Sequence, residues 1–176
     1  VFIHVGEEGF GVVGHVDLSY KGRVYGYGSY DVLSERLGGA IGDGVLFKAE
    51  RQAYIDFCTQ EGMTILGYQM VLSPEQEAAI VERLDEIDKL LVPWNPSSEK
   101  VPKTADGQAI EMYAYRIKEE IGAELFKFRK SKFKTYFVLS TNCVLLADSV
   151  IGQAGTDILG IRGFIAPGTY QTYLDQ

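Results

Sequence analysis

The dipeptide Lys21-Gly22 constrains this chain more than any other feature. It separates two runs, Val12 to Tyr20 and Arg23 to Tyr30, that are rich in valine and tyrosine. A two-residue turn carrying glycine matches the twist of antiparallel strands, so the pattern predicts a hairpin of fixed register. On that register His15 faces Gly28. A short apolar run, Phe2 to Val5, precedes the hairpin, with Gly6-Glu-Glu-Gly9 as turn chemistry between them. Tyr25, Tyr27 and Tyr30, with glycines interposed, fit a strand approached closely by another backbone. Simple packing explains each tyrosine equally well.

Helices come later in the chain. Ser73-Pro74-Glu75-Gln76 supplies an N-cap serine, a proline at the first helical position and glutamine at the third. The helix it opens buries Ala79, Ile80, Leu84, Ile87, Leu90 and Leu91 and stops before Pro93. Phe47 to Thr59 also has helical spacing, with Ala49, Ala53, Tyr54, Phe57 and Cys58 near one face. Residues 31–47 read as a glycine-rich loop, 63–72 as strand-like and 92–109 as a long proline-containing loop. Residues 110–128 fit a helix better than a strand, although Tyr113, Tyr115 and Ile117 alternate. Thr135 to Leu139 reads as strand, Val144 to Ile151 as helix ended by Gly152, and 166–174 as a short capped terminal helix. The order of elements predicts one α+β domain over residues 1–176.

Composition narrows the function. A hydrophobic fraction of 46% and a charged fraction of 23% suit a globular domain. No apolar stretch of about 20 residues is present to span a membrane. A net charge of −7 argues against general nucleic-acid affinity, which needs clustered positive charge. Lys127 to Lys134 is basic, and a solvated edge accounts for it better than an anion site. The chain opens directly on VFIHV, without a charged leader, which fits a domain cut from a longer protein.

Two histidines and two scattered cysteines, Cys58 and Cys143, offer no recognised metal-ligand spacing, and no cofactor is expected. No serine-elbow motif occurs. Cys143 stands where a strand gives way to a helix, where free amides and the helix dipole favour a thiolate and can receive an oxyanion. A buried structural cysteine is the plain alternative, and Cys58, on an apolar helix face, fits that description. A thiolate needs an imidazole partner. His15, in Gly14-His-Val-Asp-Leu18, suits that part better than His4, which reads as a core or edge histidine. Asn142 or Thr141 can cap the Cys143 helix. Tyr25, Tyr27 and Trp94 could line a cleft or simply pack.

GHVDLSYKGRVYGYGSYD, followed much later by YFVLSTNCVLLADSVIG, resembles the circularly permuted NlpC-type papain-fold cysteine hydrolases. That group includes peptidoglycan amidases and endopeptidases, lecithin:retinol acyltransferase-like enzymes and periplasmic domains. SPEQEAAIVERL and APGTYQTYL look similar to its members too. The resemblance implies an antiparallel sheet packed on helices, one of which carries the nucleophile. It implies Cys143 as nucleophile and His15 as general base, acting through a thioester on peptidoglycan peptides or another amide. It also implies a secreted or periplasmic setting, with an immunity or inhibitor protein as a further partner. An acyltransferase with the same pair, or a catalytically silent binding domain, stays open beside this.

The third residue departs from the pattern, because Gly28 cannot orient an imidazole. Asp31 is favoured on chemistry, since a carboxylate fixes the tautomer and stabilises imidazolium. Ser29 reaches the same place if the hairpin bulges, Asp17 lies on the His15 face of its own strand, and water or a backbone carbonyl could serve instead.

Overall fold

The computed structural model describes residues 1–4, 14–97, 103, 105–109, 112–152, 171, 174 and 175. The expected Gly6–Gly9 turn and nearly all of the expected terminal helix lie outside them. The chain folds as α+β. Seven strands form one antiparallel sheet: β1 (Phe2–His4), β2 (His15–Tyr20), β3 (Arg23–Gly28), β5 (Val45–Glu50), β6 (Ile65–Gly67), β7 (Leu91–Pro93) and β8 (Glu124–Phe128). Their spatial order is β6-β1-β2-β3-β5-β8-β7. A separate ribbon pairs β4 (Ile41–Asp43) with β9 (Thr135–Phe137). The helices are α1 (Arg51–Gln60), α2 (Pro74–Asp88), α3 (Tyr113–Ile121) and α4 (Cys143–Ile151).

The Lys21-Gly22 turn adopts the form its residues suggest. Both have positive φ, 44° and 78°, as a type I′ turn requires, and Asp17 pairs with Gly26 without a bulge. Strand alternation then sorts side chains into two cores. Val16, Leu18, Tyr27 and Leu46 pack with α2 and α4. Val24, Val45, Phe47 and Ala49 pack with α1 and α3. The Ser73 capping box is complete, with Ser73 and Gln76 each bonding the other's backbone.

Several expected boundaries move. Val45 to Glu50 is a strand rather than the start of a helix. It sits mid-sheet between β3 and β8, buried on both faces, and the helix begins only where the Glu50 side chain caps Ala53 N. The region 110–128 splits. Gly122 takes a left-handed conformation (φ 66°) that ends α3, and the chain continues as β8. Between residues 31 and 47, a 3-10 turn at Val32–Ser34 and strand β4 replace the expected loop. Only Ile65–Gly67 of the 63–72 segment pairs as a strand.

Candidate active site

Cys143 is the first residue of α4. Asn142 caps that helix, its Oδ1 accepting from Leu145 N at 3.1 Å while its Nδ2 donates to Val138 O at 3.0 Å. Thr141 Oγ1 donates to Thr135 O at 2.9 Å. The turn delivering the cysteine is thereby tied to β9. With the cap spent on Leu145, the amides of Cys143 and Val144 stand at the open end of the helix. Cys143 is 4% exposed.

His15 opens β2 directly after Gly14, whose φ of 73° needs glycine. Its ring lies close enough to the Cys143 thiol for each to act on the other's charge. Nε2–H of His15 donates to Asp17 Oδ1 at 2.7 Å, which leaves Nδ1 as the nitrogen for sulfur. Residues two apart on a strand share a face, and this spacing brings Asp17 to His15. Asp17 is 1% exposed, so its charge requires partners. Its Oδ2 accepts from His4 Nε2 at 2.8 Å and from Tyr54 OH at 2.6 Å. Tyr30 Oη lies 3.0 Å from His15 Nε2.

Electrostatics follow from this packing. Burial alone would lower the His15 pKa, but the Asp17 charge and then Cys143 outweigh it and hold it well above 6.5. Burial would raise the Asp17 carboxyl, yet His15, and then His4, keep it well below the usual carboxylate range. Burial and then the surrounding charges push the Tyr30 hydroxyl well up, so it stays neutral. Cys58 differs sharply. Burial within α1 pushes its thiol up to about 12, a poor nucleophile.

The carboxylate on His15 is therefore Asp17, which corrects the preference for Asp31. Asp31 lies beyond the end of β3, where it caps the 3-10 turn through Leu33 N. Its Oδ2 accepts from Lys127 Nζ at 2.6 Å, and that ammonium also reaches Asp43 at 2.8 Å. Ser29 is not brought to the imidazole either, since the hairpin has no bulge and its Oγ points at Gly42. Sequence alone marks His4 as a core or edge histidine and Tyr54 and Tyr30 as packing residues, whereas all three reach the His15–Asp17 pair. Only the β1–β2 register, which sets His4 opposite His15, would have exposed the first of them. Tyr27 is core, its hydroxyl donating to Phe133 O at 2.9 Å. Trp94 lies under the Lys127 ammonium, and Tyr25 lies near that of Lys48.

Among the described residues, no group of three or more His, Cys, Asp or Glu is placed to hold a metal ion, and no helix is long and apolar enough to cross a membrane. A cavity of about 530 Å³ opens at the opposite ends of β2 and α4, beside Ser19, Tyr20, Val150 and Ile151, away from Cys143. Comparison with family models, curated proteins and solved structures gives no match.

Proposed function

We propose that the chain is a thiol acyl hydrolase of permuted papain-like design, an amidase or peptidase acting through Cys143, His15 and Asp17. The observation that carries this reading is one imidazole bonded to a buried carboxylate and set beside the Cys143 thiol, close enough for their charges to act on each other. An imidazolium beside the sulfur favours the thiolate. The thiolate attacks the amide carbon, and the oxyanion is received by the Cys143 amide at the α4 N-terminus. As the C–N bond breaks, His15 gives its Nδ1 proton to the departing amine and a thioester remains on Cys143. Water then attacks the thioester, His15 takes its proton, and the C–S bond breaks so that the acid leaves and the thiolate–imidazolium pair is restored.

Asp17 holds the ring and its tautomer throughout. Because Asp17 supplies the orienting charge, glycine at position 28 leaves no gap in the machinery. The preferred substrate class, by resemblance in sequence, is peptidoglycan peptide. The test is mass spectrometry of the protein and of purified muropeptides after incubation together. An acyl adduct on Cys143 and new amide cleavage, both absent in Cys143→Ser, are expected. An identical product profile for wild type and Cys143→Ser overturns the wall-hydrolase reading. Transfer to an added amine in place of water would make the protein an acyltransferase.

A further inference from the structure

The Asp17 carboxylate is bonded by side chains from three elements: His15 on β2, His4 on β1 and Tyr54 on α1. We propose that Tyr54 and His4 are positioning residues for the Cys143 site, clamping Oδ2 of Asp17 so that Oδ1 stays on His15. This rests on the hydrolase reading above and adds to it two residues that touch no reacting atom. A lone carboxylate next to one imidazole can rotate about its side-chain bonds and lose the contact. Here rotation breaks two further charge-assisted bonds, at 2.6 and 2.8 Å, in a site that solvent does not reach to replace them.

The clamp is itself braced. Tyr54 is fully buried, its ring packs on Phe47 with centroids 5.3 Å apart, and its hydroxyl also lies 3.3 Å from His4 Nε2. The His4 and His15 rings stand 5.5 Å apart. A hydrogen-bonded chain therefore runs from Tyr54 through Asp17 to His15, with His4 joined to the same carboxylate. Among the described residues, the titratable groups facing Asp17 and His15 include those already named, the Val1 amino group, which feels the Asp17 charge, and Tyr30, whose ring packs on Phe47 and Tyr113.

The experiment measures iodoacetamide alkylation of Cys143, resolved by peptide mass spectrometry, as the ratio of its rate at pH 6 to its rate at pH 9. At high pH a thiol that the reagent reaches reacts without help, whereas at low pH its reaction depends on the oriented imidazolium. Tyr54→Phe and His4→Phe are expected to lower the ratio about tenfold, as Asp17→Asn does, and His4→Gln, which keeps an N–H, to restore it. A fall in thermal stability alone, with the ratio unchanged or raised, overturns the clamp. If Asp17→Asn also leaves the ratio unchanged, the hydrolase reading falls with it. Should Tyr54→Phe not fold, the His4→Phe and His4→Gln pair decides.

Discussion

Gly26 faces Asp17 across the β2–β3 hairpin, and adding one methyl group there probes the whole site. A Cβ at position 26 would lie 2.2 Å from Phe47 Cε1, 2.3 Å from Phe47 Cζ and 2.7 Å from Asp17 Oδ1. Ordinary contact begins near 3.4 Å, so the ring must retreat by about 1.2 Å and Oδ1 by about 0.7 Å. Phe47 is fully buried and wedged between Tyr30 and Tyr54, so the ring has little room to yield. Overpacking of this kind costs about 1–3 kcal/mol, or about 2–4 °C of melting temperature per kcal/mol in a chain of this size. Moving Oδ1 also stretches its 2.7 Å bond to His15 toward the limit of hydrogen bonding. Gly26→Ala is therefore expected to lose stability in urea and, while still folded, to alkylate Cys143 at least about tenfold more slowly at pH 6. Wild-type stability together with wild-type reactivity would refute the packing and the proposed role of Asp17 at once.

Asp17→Asn is expected to lower turnover by about 10²–10⁴-fold. Asp31→Asn is expected to leave turnover unchanged and to cost about 1 kcal/mol, because its ion pair with Lys127 is structural; equal losses in the two variants would contradict the assignment. Asn142→Ala removes the α4 cap and should cost about 1 kcal/mol in urea denaturation, and a smaller change would show that the β9 contacts hold the helix alone. The pH dependence of stability has two limbs. His15 is raised above 6.5 in the fold, so its contribution is complete below that value and disappears as pH rises through the folded pKa. Asp17 is held below 3.8, so its contribution is complete above that value and disappears as pH falls through the folded pKa. Urea midpoints against pH should show the alkaline limb flattened in His15→Gln and the acid limb flattened in Asp17→Asn.

The parts of this account legible in the sequence are those set by neighbours along the chain. Lys21-Gly22 fixes its turn through two positive φ angles, Ser73 to Gln76 cap α2, and Asn142 caps α4. Asp17 was visible as a residue on the His15 face, because strand alternation is local. Preferring Asp31 to it required knowing where the chain goes after Gly28, and that depends on Lys127, 96 residues away. Helical spacing over 47–59 failed where a central strand, apolar on both faces, imitates a helix until its capping residue. The glycines of β3 suggest room for a neighbouring backbone, whereas Gly26 makes room for the Phe47 ring and the Asp17 carboxylate. His4 and Tyr54 carried no local mark, since only sheet order and α1 packing bring them to Asp17.

The most direct test of the central claim is peptide-resolved alkylation of the folded protein from pH 5 to 10, in wild type and His15→Ala. Ordinary thiols titrate near ~8.5. Cys143 is expected to be labelled readily at pH 6 in the wild type and to lose that low-pH labelling in His15→Ala, while buried Cys58 stays unlabelled in both. Superimposable profiles for the two proteins, or labelling of Cys58 with Cys143 protected, would contradict the account.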